Sequence, residues 1–217
     1  MNVIEKHFDS SKDLILLLHG QEASSNDWII NGGFINGAGL TDGLTDSQFS
    51  WIAPDLYGHG SFKAEENDFD PADISDELWP VFLKRSADTI CNLAEETVKK
   101  YGYQSLTVVS YSASCHVAVR IIKHKLSVPI KRVFMAAPCP EREYDDEYSL
   151  HNNLDCFNNR KCCFFAGTRD EEVPIDDVRW FFSHIESDDK ELLLYDSGHS
   201  LPEKWTSDAL IQLGKNL

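Results

Sequence analysis

Leu106-Thr-Val-Val-Ser-Tyr-Ser112-Ala-Ser-Cys-His-Val-Ala-Val119 is the stretch whose reading decides the fold. Leu106 to Val109 have the β-branched or apolar character of a buried strand. They run directly into a cluster of small residues, and a helical apolar pattern from Cys115 to Ile122 begins at once. The spacing predicts a strand, a turn tighter than an ordinary loop, and a helix, with the Ser112 hydroxyl at the apex. A residue other than glycine at such an apex sits in sparsely populated backbone space, at a cost of about 1–3 kcal/mol. Ser110 and Ser114 flank it, and both are among the smallest side chains that would let strand and helix approach closely.

Outward from this turn the pattern is strand and helix in alternation, which predicts a mostly parallel central sheet with helices on both faces. Residues 2–8 suit an edge strand. Asp-Leu-Ile-Leu-Leu-Leu at 13–18 is a continuous apolar run of the kind buried in parallel sheets. Strands are also predicted at 49–53, 131–135, 161–166 and 191–195. Helices are predicted over 71–101, with a kink at Pro80, then over 174–185, and over 201–217 with Pro202 in the first turn. Residues 24–50 hold Gly32, Gly33, Gly37, Gly39 and Gly43. They predict a short helix near 26–30 followed by flexible loop.

The 217 residues predict one domain, 1–217, with enough chain for a sizeable core. A formal net charge of −16 repels phosphates and so disfavours nucleic acid as a partner. No apolar run reaches the roughly 20 residues of a membrane span. The first residues lack a signal peptide's basic and apolar blocks, and six cysteines show no metal-ligand spacing. The expectation is a cytoplasmic protein with reduced thiols. No metal or phosphate-binding motif points to a cofactor, and oligomeric state is not legible.

Four further segments leave predicted strands. They are His19-Gly20-Gln21, Ala53-Pro-Asp55-Leu-Tyr-Gly-His59-Gly60, Gly167-Thr-Arg-Asp170-Glu-Glu-Val-Pro174 and Ser197-Gly-His199-Ser200. With the Ser110-Tyr-Ser112-Ala-Ser114 turn in place of Gly-x-Ser-x-Gly, they resemble the α/β-hydrolase family, and the Pro-Asp-Leu-Tyr-Gly segment resembles its dienelactone hydrolase and carboxylesterase branch. The resemblance covers nearly the whole chain. It implies a single-domain α/β-hydrolase fold without a large lid, because the connection 136–160 is too short for a lid domain. It also implies Ser112 as nucleophile, Asp170 as the acid and His199 as the base, in the family's chain order. The Gln21 and Ala113 backbone N–H groups would form the oxyanion hole.

The implied activity is serine-hydrolase cleavage of a small or exposed ester or thioester, with no cofactor. The alternative is a non-catalytic binding or scaffolding protein on the same fold; a lyase or perhydrolase use of the triad is a third reading. His19, Asp55 and His59 are expected to be structural, and Glu171 and Glu172 lie at the wrong offset for the acid. Cys115 is expected in the core, and His116 at the solvent or the rim of the site. The Gly-rich stretch and an acidic loop around Asp145 are expected to border an open site.

Overall fold

The computed structural model describes residues 1–31, 35–140 and 147–214. Among these residues seven strands form one sheet: β1 (Val3–Lys6), β2 (Asp13–Leu18), β3 (Ser50–Pro54), β4 (Ser105–Tyr111), β5 (Ile130–Ala136), β6 (Lys161–Gly167) and β7 (Lys190–Tyr195). Their spatial order is β1-β3-β2-β4-β5-β6-β7. Only the β1–β3 pair is antiparallel. The apolar runs explain the centre: every residue of β2, β3, β4 and β6 is buried, as parallel strands covered on both faces require.

Among the described residues five α-helices cover the sheet: α1 (Ala38–Asp46), α2 (Trp79–Tyr101), α3 (Ser114–Lys123), α4 (Ile175–His184) and α5 (Lys204–Gly214). Phe82 and Ile90 of α2, Val117 and Ile121 of α3 and Phe181 of α4 pack with Leu16 and Val108 on one face. Leu40 and Leu44 of α1 and Trp205 and Leu213 of α5 pack with Leu17 and Val109 on the other. Alternate residues of β2 and β4 thus enter different cores, which is the period-2 geometry of a strand.

Three expectations need correction. Pro80 does not kink a helix: α2 begins at Trp79, so the proline lies in its first turn, where a missing N–H is harmless. The segment 71–78 before it is turn and loop. Part of the Gly-rich stretch is helical, namely α1, because Gly39 and Gly43 pack against α5. A Cβ added to Gly39 would lie 2.7 Å from Thr206 Oγ1, and one added to Gly43 would lie 2.2 Å from Leu210 Cδ1. These glycines give close helix approach where composition suggests a loop. Finally, α5 starts at Lys204, beyond Pro202. Gly32, Gly33 and the acidic loop around Asp145 lie outside the described residues.

At the amino end of the sheet, buried Asp13 accepts hydrogen bonds from Ser105 Oγ (2.7 Å) and Thr107 Oγ1 (2.6 Å), and pairs with Arg132 at 3.4 Å. At the carboxyl end, Leu18 is in register with Ser110, Tyr111 with Ala136, and Gly167 with Tyr195. The loops leaving β2, β4, β6 and β7 therefore emerge along one edge. No described helix is long and apolar enough to cross a membrane, and no disulfide joins described cysteines.

Candidate active site

Ser112 follows the last residue of β4 and has φ 52°, the left-handed region that only the apex of a sharp turn demands of a serine. Its N–H donates to Ala136 O at 2.9 Å, which ties the apex to the end of β5. Ala113 is the first residue of the α3 entry, with φ −51° and ψ −32°. Its N–H is one of the orphan donors at a helix start.

The serines replacing glycine do not force the turn apart. Ser114 Oγ accepts the Tyr111 N–H at 2.9 Å and lies 2.9 Å from Leu18 O and 3.0 Å from Tyr111 O, so its one proton is well placed. Ser110 Oγ donates toward buried Cys115 Sγ at 3.4 Å. Gly20 supplies the needed closeness from the β2 side. A Cβ there would stand 3.2 Å from Tyr111 O and 3.3 Å from Ser112 Cβ. That approach brings Gln21 alongside the apex, and Gln21 and Ala113 both line the small cavity that opens on Ser112.

His199 comes from the loop after β7 and Asp170 from the loop after β6. His199 Nε2 is 2.8 Å from Ser112 Oγ, and His199 Nδ1 is 2.8 Å from Asp170 Oδ2. A carboxylate accepts only, so Nδ1 carries the proton and Nε2 presents its lone pair to the serine hydroxyl. Asp170 also caps its own turn, with Oδ1 accepting the N–H groups of Glu172 (2.9 Å) and Val173 (3.0 Å). One oxygen thus caps the turn while the other holds the histidine. Burial pushes its pKa up, but the hydrogen bonds from His199, Val173 and Glu172 outweigh that and hold it below the ordinary value.

Two loops must nearly touch for this to happen, and Gly167 makes it possible. A Cβ there would meet Gly198 O at 2.2 Å and Ser197 O at 2.5 Å. Arg169 N–H donates to Ser197 O at 2.9 Å across the same gap.

The residues read as structural sit away from this arrangement. His19 is fully buried, accepts the Leu56 N–H at Nε2 (3.0 Å) and donates from Nδ1 to Gly20 O (2.8 Å). Burial takes its pKa down to about 3, so it is a neutral strut between two loops. Asp55 accepts the N–H groups of Ser25 (2.9 Å) and Ser61 (2.8 Å). His59 Nδ1 donates to Tyr57 O at 2.8 Å, and burial lowers its pKa. Cys115 is buried, as expected. His116 is buried too, and not at the solvent; with Trp79, Cys139 and Val173 it walls a cavity of about 140 Å3 on one side of Ser112. A second cleft, of about 290 Å3, also opens on Ser112 and is lined by Gln21, Glu22, Ala72 and Glu172.

Two residues at the site carried no sequence signal for a role there. The Glu172 carboxylate lies 3.6 Å from His199 Nε2 and is two-thirds exposed; its offset from Gly167 spoke only against its being the acid. The Tyr111 hydroxyl reaches the His199 loop, and its place between two serines marks it in the sequence only as part of the turn.

No protein-family model and no curated protein matches the chain. Solved structures do. TT1662 from Thermus thermophilus is 16% identical with a TM-score of 0.72, over 98% of this chain and 97% of the other. A predicted CIB-like hydrolase from Thermoplasma acidophilum is 19% identical with a TM-score of 0.70, over 97% and 90%. The esterase PE8 is 16% identical with a TM-score of 0.71, over 100% and 98%. With its mostly parallel seven-stranded sheet, helices on both faces and these neighbours along nearly its whole length, the chain has the α/β-hydrolase fold.

Proposed function

We propose that the protein is a serine hydrolase that cleaves a small or exposed carboxylic ester or thioester through an acyl-enzyme. The observation that supports this most is the doubly bonded imidazole, with Asp170 on one nitrogen and Ser112 on the other, both at 2.8 Å. Ser112 Oγ attacks the acyl carbon while His199 Nε2 takes the hydroxyl proton; that proton then goes to the departing alcohol or thiol. Asp170 holds the Nδ1–H tautomer and stabilises the imidazolium. The Gln21 and Ala113 N–H groups receive the tetrahedral oxyanion, a job for which donors fixed in advance are best suited. Water, deprotonated by His199, attacks the acyl-enzyme, and Ser112 regains its proton. No cofactor takes part in these steps.

The substrate reading follows from the two spaces beside Ser112. A cavity of about 140 Å3 is close to the roughly 150 Å3 that holds one benzene ring. It fits a short acyl group better than a long lipid chain. On the same reading the chain works as one domain, 1–217, in the cytoplasm.

The test is covalent. A fluorophosphonate probe is expected to modify Ser112, located by peptide mass, and to leave folded His199→Ala unmodified. Ser112→Ala is expected to lower kcat for a p-nitrophenyl ester by several orders of magnitude. A folded wild-type protein that takes up no probe would overturn the proposal.

A further inference from the structure

Tyr111, immediately before Ser112, is fully buried, and its side chain extends from the nucleophile's strand to the histidine loop. Its hydroxyl donates to His199 O at 2.9 Å and accepts the Leu201 N–H at 3.1 Å. A phenol has one proton to give and lone pairs to receive with, so the two bonds are compatible. The ring stands edge-on to the His199 imidazole, with centroids 6.3 Å apart at 85°, and to Trp205 at 6.0 Å and 62°. Burial raises the phenol pKa well above its ordinary value, so the hydroxyl keeps its proton.

The backbone of Tyr111 is itself immobilised. Its N–H donates to Ser114 Oγ, and it lies in register with Ala136 on β5. The histidine loop has an upstream anchor in Arg169 N–H to Ser197 O, which precedes His199 by two residues. Tyr111 grips His199 and Leu201 on either side of Ser200, and downstream Asn36 Nδ2 also donates to Leu201 O at 3.0 Å.

We infer that Tyr111 is a positioning residue that fixes the separation of Ser112 and His199 by bonding the histidine's own backbone from the residue next to the nucleophile. This rests on reading Ser112 and His199 as nucleophile and base. Asp170 sets which way the imidazole faces, whereas Tyr111 sets where the backbone carrying it stands. The end of β4 and the loop after β7, strands separated by β5 and β6 in the sheet, are thereby linked through the Tyr111 side chain.

The test is Tyr111→Phe, which removes one oxygen and keeps the ring, assayed with a p-nitrophenyl ester well below its melting temperature. A displacement of about 1 Å costs about a hundredfold in rate. A fall in kcat of about ten- to a hundredfold is expected, with KM within twofold, and an equal fall in the rate of fluorophosphonate labelling. Thr107→Val is the control. It removes another buried hydroxyl from the same strand, bonded to Asp13 at the far end of the sheet. It is expected to lower the melting temperature without changing kcat.

A Tyr111→Phe kcat within twofold of wild type would overturn the inference, as would an equal loss in Thr107→Val. Should Tyr111→Phe not fold, hydrogen exchange of the wild-type Leu201 amide decides. Protection well above that of Ser200 is expected, and equal exchange would overturn the inference. If wild type neither turns over esters nor takes up probe, it is the hydrolase proposal that has failed, and the exchange result still reports on the tether.

Discussion

Replacing Gly167 by alanine would place a methyl carbon 2.2 Å from the Gly198 carbonyl oxygen and 2.5 Å from that of Ser197. Carbon–oxygen contacts settle at about 3.3–3.6 Å, so one loop must retreat by roughly 1 Å. Gly167 is the last residue of β6 and lies in register with Tyr195, so the strand is the rigid side and the histidine loop gives way. The Ser112–His199 contact is 2.8 Å, and lengthening it by about 1 Å takes it beyond hydrogen-bonding range. The expected result is a loss of about a hundredfold in kcat for p-nitrophenyl acetate. Overpacking should also remove about 1–3 kcal/mol of stability, read from urea unfolding. Gly102→Ala separates the two effects. Gly102 ends α2 with φ +76° and has nothing within 4 Å of an added Cβ, so it should lose stability through backbone strain and keep full activity. A folded Gly167→Ala protein with kcat within threefold of wild type would refute the reasoning.

Acid should weaken the fold through His19. Its folded pKa of about 3 lies below the ordinary value of 6.5, so the unfolded chain binds the extra proton. The neutral-histidine contribution is complete above pH 6.5 and is lost as pH falls toward 3, at about 1.4 kcal/mol per pH unit. His59, lowered by burial, acts in the same direction. His19→Gln should flatten the slope of unfolding free energy against pH between 6.5 and 4 by about one proton; an unchanged slope would count against it. Glu172 should favour a positive charge on the substrate, since a cation about 4 Å away gains about 1 kcal/mol in water. Between a choline ester and its uncharged 3,3-dimethylbutyl analogue, Glu172→Gln should reduce the kcat/KM ratio by about fivefold. Equal ratios in the two proteins would dismiss that role.

Chain-local features were the legible ones. The apolar run at 13–18 is strand β2 to the residue, because a fully buried parallel strand has no polar face to blur its ends. Ser112, Asp170 and His199 could be singled out because each follows a strand in a short segment of restricted composition. What escaped depends on partners distant in sequence. The glycines of α1 read as loop because their reason is α5, more than 160 residues later. Tyr111 drew no reading beyond a place in the turn, because its hydroxyl bonds lie nearly 90 residues away. Glu172 read as a misplaced acid because only the folded turn of Asp170 swings its carboxylate toward His199.

Ser114 carries a wider lesson about what a sequence signature encodes. Glycine at that place in the elbow is a way of leaving room, whereas here the room is occupied by a hydroxyl that ties β4 to Leu18 of β2. The turn has exchanged emptiness for a strut. Placing glycine at 114, as the Gly-x-Ser-x-Gly pattern has it, would remove that strut and add backbone freedom in the unfolded chain.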